Sequence, residues 1–175
     1  IDLEDIDYGI EVDSPLSAHP ILPLDDTSLA IGERVAHRVL DGSTLQLGIG
    51  GVPDAVLHGL THRTGLKVWS EMFSDGVLAL ERRGCLDPHT PITASFLFGS
   101  EDLYEWADSN SRVLMLRSET TNDPARIAGH PQMTSVNTAL QVDLFAQANA
   151  SRIGARIFSG FGGQTDVIVG ALHSP

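Results

Sequence analysis

Residues Thr44-Leu45-Gln46-Leu47-Gly48-Ile49-Gly50-Gly51-Val52-Pro53 run from a short, mostly apolar segment through three glycines to a proline. Thr44–Leu47 reads as a buried strand, the glycines turn the chain, and Pro53, with its fixed φ, suits the first turn of a helix that continues through Leu60. Upstream, the capping residues Asp25, Asp26, Thr27 and Ser28 precede apolar positions at Ile31, Val35, Ala36, Val39 and Leu40, and Gly42 follows. That spacing predicts an amphipathic helix with a glycine stop. Working outward, the order is helix, strand, glycine turn, helix.

The alternation continues downstream. Strands are predicted over Leu66 to Trp69, Ile92 to Phe98 and Val113 to Leu116, and helices over Gly76 to Arg83, Asp102 to Ala107 and Pro124 to Ala128. From Met133 to Ala148 the looser pattern of Val136, Leu140, Val142, Leu144 and Phe145 suggests two paired strands. Ile157-Phe158 leads into a last glycine turn, and a final helix starts at Gln164. Strands separated by helices predict an α/β fold, an open and mainly parallel sheet with helices on both faces. Ligands of such sheets sit where strands end and glycine turns begin. Pro15, Pro20 and Pro23 deny a continuous helix to residues 1–24, which read as a lead-in or linker to a folded domain over 25–175. A start at Ile1 and a stop just after a patterned glycine segment suggest a piece of something longer.

The chain has 175 residues, enough for one core. Acidic residues outnumber basic ones 23 to 11, for a formal charge of −12. Such a surface repels phosphate backbones and anionic lipids, which argues against nucleic acid and membrane partners. No apolar run approaches the roughly 20 residues that cross a bilayer. The single cysteine, Cys85, forms no intramolecular disulfide, and a reducing, cytoplasmic setting is expected.

Several chemistries are excluded by residue identity. Pro53 stands where a dinucleotide fingerprint needs its third glycine. Lys67 is the only lysine and lies far from any phosphate-binding loop pattern. His58 and His62 have helical spacing, but Gly59 occupies the place where a zinc protease carries glutamate, and no metal site is expected. No G-x-S-x-G elbow and no Cys-x-x-Cys pair occur.

Two segments carry more chemistry. In Trp69-Ser70-Glu71-Met72-Phe73-Ser74-Asp75-Gly76 a glutamate sits among large apolar residues at the end of a short strand, where a turn would aim it into a cleft. In Phe158-Ser159-Gly160-Phe161-Gly162-Gly163-Gln164 three glycines follow another strand and expose backbone N–H groups suited to a developing oxyanion. The plainer alternatives are that Glu71 caps the following helix and that the glycines only turn the chain.

Four segments together resemble the acetyl-CoA hydrolase/transferase family, which includes 4-hydroxybutyrate CoA-transferase: Leu45 to Val56, Ser70 to Val77, Val136-Asn137-Thr138-Ala139-Leu140-Gln141-Val142-Asp143, and Ser159 to Asp166. The resemblance covers almost the whole chain in order. It implies a CoA-transferase-type domain, the second of two, and so an N-terminal partner domain and a homo-oligomer. It further implies an acyl-CoA:carboxylate CoA-transferase acting on acetyl-CoA or another short-chain thioester. Coenzyme A would enter as a substrate thioester beside a small carboxylate, with no tightly bound cofactor. By the same resemblance Glu71 is the nucleophile, Gly162 and Gly163 help hold the thioester oxygen, and Asn137 faces the catalytic carboxylate. Gly48, Ile49, Gly50, Gly51 and Val52, with Phe161 and Gln164, would contact the acyl or CoA moiety. An acyl-CoA hydrolase using the same site and a catalytically silent CoA-binding module are the alternatives. At Ser100-Glu101-Asp102 the chain departs from the basic residues that family members often carry.

Overall fold

The computed structural model describes residues 3–160 and 162–175. In chain order the elements are α1 (Asp26–Ala36), β1 (Thr44–Leu47), α2 (Gly51–Gly59), β2 (Lys67–Trp69), β3 (Met72–Phe73), α3 (Asp75–Arg82), β4 (Ile92–Ala94), β5 (Phe96–Leu97), α4 (Glu101–Ala107), β6 (Val113–Met115), α5 (Ser118–Thr121), α6 (Pro124–Ala128), β7 (Met133–Val136), β8 (Gln141–Val142), β9 (Ala148–Asn149), β10 (Arg152–Ile153), β11 (Arg156–Ile157) and α7 (Gln164–Leu172). Five strands form one all-parallel sheet in the order β6-β4-β2-β1-β7. Every residue of β1 and β4 is buried, as parallel strands flanked by helices require. The main core joins Leu45, Leu47, Val56, Leu57, Val68, Phe73, Val77, Leu80, Ile92 and Leu103.

Local chemistry explains the starts and stops. The Asp25 carboxylate accepts hydrogen bonds from the backbone N–H and the hydroxyl of Ser28, each at 2.9 Å, and so caps α1. The helix is shorter than its apolar spacing predicts. After Ala36 the chain tightens into i to i+3 bonds, Arg38 N–H to Val35 O and Val39 N–H to Ala36 O. That turn carries Val39 into the core and leaves Leu40 outside, while Ile31 is also exposed. Gly50 lies at φ 106° and ψ 179° just before α2, a conformation that excludes any residue with a Cβ. The single strand expected over Ile92 to Phe98 is broken at Ser95. Its first half joins the main sheet as β4, and its second half, β5, pairs in parallel with β3. The Met133 to Ala148 stretch divides as well: β7 joins the main sheet beside β1, and only β8 forms a hairpin, with β9.

This topology marks a place. Successive strands β1, β2, β4 and β6 step one way across the sheet, and β7 then returns to the other side of β1. The register aligns Leu47 with Val136, so the two strands end level, and Gly48 N–H donates to Val136 O at 3.2 Å. Beyond those ends lies the switch point where open α/β sheets hold their ligands.

Candidate active site

A cleft of 680 Å³ opens at that edge. Its wall includes Gln46 and Gly48 from the end of β1, Glu71 from beyond β2, Asn137 from beyond β7, and Gly162, Gly163 and Gln164 at the start of α7. Six of the residues that the sequence points to therefore share one cavity: Glu71, Asn137, Gly48, Gly162, Gly163 and Gln164. Ile49, Gly50 and Gly51 line a different cavity, 470 Å³ and mainly apolar, and Val52 lines neither. The glycine turn is thus a partition between two spaces, with Gly48 alone facing the first. Phe161 lies outside the described residues.

Glu71 is held by its backbone, and among the described residues no hydrogen bond or ion pair engages its carboxylate. Just before it, the buried Ser70 hydroxyl accepts from Leu47 N–H at 3.2 Å and donates to Leu47 O at 3.1 Å, which ties the ends of β1 and β2 together. The Glu71 carbonyl accepts from both Ser95 N–H (2.8 Å) and Phe96 N–H (3.2 Å). The break in the fourth strand that the sequence does not reveal is therefore what anchors this residue. The N-cap of α3 is Ser74, so Glu71 does not cap that helix.

Gly163 sets the other wall. A Cβ at this position would lie 2.9 Å from Glu71 Oε2 and 2.5 Å from Asn122 Nδ2. Any larger residue would push both side-chain ends from these positions, so glycine keeps the α7 turn close to the carboxylate and the amide. Gly163 is the N-cap of α7, whose first turn brings backbone N–H groups with no intrahelical partner and the positive end of the helix dipole. A half-buried carboxylate, an amide and a helix N-terminus meet at one point.

Asn122 is a site residue that sequence reasoning misses. It ends α5, a four-residue helix that the apolar pattern does not announce. The neighbouring Thr121 is buried, its hydroxyl lies 2.7 Å from Ser95 Oγ, and its carbonyl accepts from Trp69 Nε1 at 3.0 Å. Asn122 is so fixed to the same segments that anchor Glu71. Gln46 and Ser135 are missed as well. Ser135 and Asn137 lie two apart at the end of β7 and face one way, and both bond Gln46 across the strand seam. A glutamine between Leu45 and Leu47 in a buried strand was the available signal.

The apolar cavity is roofed by the lead-in. His19 N–H donates to Gly99 O at 2.8 Å, the His19 ring stacks on Phe98 at 4.0 Å, and Tyr104 Oη donates to Ser17 O at 3.3 Å. Beneath lies Asp54, whose carboxyl accepts from Ser74 Oγ at 2.6 Å. Burial pushes its pKa up, against the Ser74 hydrogen bond, and the nearby Asp75 charge adds to the rise. Ser100-Glu101-Asp102, which stands in place of basic residues, is engaged locally. Ser100 caps α4 and bonds Asp75, and Asp102 pairs with Arg82. Among the described residues no group of three or more His, Cys, Asp or Glu side chains is placed to hold a metal ion, and no helix is long and apolar enough to cross a membrane.

Comparison with known proteins bears on the family and the fold. Residues 99–175 match the acetyl-CoA hydrolase/transferase C-terminal domain. The chain is 40% identical over 177 residues to 4-hydroxybutyrate coenzyme A transferase of Clostridium kluyveri, covering 98% of this chain and 41% of that protein. It is 31% identical over 188 residues to acetyl-CoA hydrolase of Neurospora crassa, covering 99% and 36%. The crystal structure of 4-hydroxybutyrate CoA-transferase from Porphyromonas gingivalis superposes with a TM-score of 0.85 at 35% identity, covering 99% of this chain and 42% of that one. The chain thus spans about two fifths of the length of these relatives. With its parallel sheet, its cleft at the β1–β7 switch point and these likenesses, the chain belongs to the acetyl-CoA hydrolase/transferase family.

Proposed function

We propose that this chain is the nucleophile-bearing C-terminal domain of an acyl-CoA:carboxylate CoA-transferase, with Glu71 forming a covalent thioester with coenzyme A. One observation carries the reading: the Glu71 carboxylate stands beside Gly163 and Asn122, where a helix N-terminus and an amide can receive negative charge. A carboxylate is a weak nucleophile, so rate must come from positioning and from donors aimed at the oxyanion, each worth about 3 kcal/mol.

The steps balance without a cofactor or a net proton. The Glu71 carboxylate attacks the acyl carbonyl of the incoming thioester, and CoA thiolate leaves, giving a mixed anhydride. The thiolate attacks the glutamyl carbonyl and expels the first acid as its carboxylate, giving glutamyl-CoA. A second carboxylate attacks that thioester and the thiolate leaves again. Attack of the thiolate on the new acyl carbonyl then releases the new acyl-CoA and restores Glu71. Gly162, Gly163 and Gln164 border the reacting carbonyl, Asn137 contributes to the facing wall, and Gly48 borders the acyl end. Ile49, Gly50, Gly51 and Val52 shape the turn, and Phe161 is assigned to contact with the acyl or CoA moiety. Acetyl-CoA or another short-chain thioester is the substrate and coenzyme A is not resident.

The working protein has an N-terminal domain joined through residues 1–24, assembles as a homo-oligomer and acts in the cytoplasm. Hydrolysis is the second reading, favoured by the likeness to an acetyl-CoA hydrolase: water in place of the second carboxylate opens the same thioester. Exchange of labelled acetate into acetyl-CoA by the full-length protein tests the choice. Label incorporation with ping-pong kinetics is the expected result. Steady release of free acid with no incorporation identifies the hydrolase.

A further inference from the structure

One polar circuit at the cleft joins Asn137 to two residues, Gln46 and Ser135, that the exchange steps just given do not use. Gln46, on β1, is only 6% exposed. Its Oε1 accepts from Ser135 Oγ at 2.7 Å and from Asn137 Nδ2 at 3.1 Å. Asn137 Nδ2 also donates to Ser135 Oγ at 2.8 Å, and Gln46 Nε2 donates to Asn137 Oδ1 at 3.4 Å. Two amides and one hydroxyl bring five polar hydrogens, of which these contacts use four. Reversing one amide alone would set oxygen against oxygen and nitrogen against nitrogen. Reversing both preserves the circuit and moves the spare hydrogen from Gln46 to Asn137. In either arrangement a single amide N–H is left over among the described residues, and both amides line the cleft that holds Glu71.

Ser135 does not line that cleft. Its hydroxyl is the one group that both donates to one amide and accepts from the other, so it locks the pair. It does so across the seam between β1 and β7, where the strands end level and Gly48 follows. We propose that Ser135 is a positioning residue for the CoA exchange: it closes the circuit that presents one amide N–H to a carbonyl or carboxylate oxygen of the bound substrate. This inference rests on the function proposed above. It also makes the contribution of Asn137 a shared one, because in the observed arrangement both Asn137 amide hydrogens are engaged within the circuit. The free donor then belongs to Gln46.

Ser135→Ala and Ser135→Thr in the full-length protein test the proposal by two readouts. The first needs no turnover: the side-chain amide resonances of Gln46 and Asn137 should both shift in Ser135→Ala and both hold in Ser135→Thr. Unshifted amides in Ser135→Ala would overturn the circuit, even in a protein with no transferase activity, so this arm separates the failure of the inference from the failure of the functional reading. The second is kinetic: at a temperature well below the Tm of either variant, Ser135→Ala should lower kcat about tenfold, and Ser135→Thr should restore it. Parent kcat and KM in Ser135→Ala, or equal losses in both variants, would overturn the positioning role. Asn137→Asp, which keeps the volume but replaces the amide donor, should reproduce the loss if Ser135→Ala proves unstable.

Discussion

At Gly163 a single added methyl group decides whether the cleft keeps its shape. Its Cβ would fall 2.5 Å from Asn122 Nδ2 and 2.9 Å from Glu71 Oε2, so both side-chain ends would have to leave the places they hold. Gly163→Ala is therefore expected to remove most exchange activity by displacing the Glu71 carboxylate while costing little stability, as initial rates and thermal melting will record. A Gly162→Ala change meets open space and should leave stability unaltered. Asp54 behaves in the opposite sense. Its folded pKa is raised above the ordinary 3.8, chiefly by burial, so its contribution to stability is full below that value and is lost as pH rises through the folded pKa. Asp54→Asn, which keeps the acceptor for Ser74, should thus raise Tm at pH 7 and have no such effect near pH 3. A lower Tm at pH 7 would contradict the burial account.

Among the elements, the link between β2 and the α6–β7 corner is open to test by pH. The His130 ring lies 4.3 Å from the Trp69 ring at the end of β2, and burial holds its pKa below the usual 6.5. A depressed folded pKa means that this stability is present above pH 6.5 and is lost as pH falls through the folded value. Trp69 fluorescence and Tm should therefore fall together between neutral and mildly acid pH, and His130→Gln should flatten that dependence. The parallel sheet was legible in the sequence through β1, β2, β4 and β6, short runs set between turn residues, whereas the place of β7 beside β1 was not, because its stretch reads as one of two paired strands; α2, α6 and α7 announce themselves through glycine and proline. The small β3–β5 pair was not, because its two-residue strands leave no period to read, and their pairing depends on a bend at Ser95 that only tertiary contact creates. Asn122 was illegible for the same reason: α5 has four residues and takes its place from Thr121, Ser95 and Trp69 rather than from its own pattern. Glu71 was legible because a carboxylate flanked by Trp69, Met72 and Phe73 is costly without a purpose. The division of the glycine turn between two cavities follows from the lead-in's docking, which no local motif encodes.

For the whole molecule, the charge of −12 coexists with large apolar side chains left in solvent. On the lead-in Tyr8, Ile10 and Val12 are exposed, and on the β8–β9 hairpin Leu144 and Phe145 are 102% and 86% exposed. A partner domain that covers these positions would account for them, and the chain spans only about two fifths of its relatives. Residues 1–175 alone are therefore expected to self-associate in sedimentation velocity and to bind an apolar dye more than the full-length protein does. A dye signal equal to that of the longer protein would speak against a covering domain. The central claim concerns one atom of the whole, the carboxylate carbon of Glu71. It is tested most directly by incubating the full-length protein with acetyl-CoA, reducing with borohydride and locating the modified peptide by mass spectrometry. The covalent mechanism requires reduction of the Glu71 side chain to the alcohol. Continued turnover with Glu71 unmodified would contradict it and leave direct attack on the acyl-CoA by water or substrate as the chemistry.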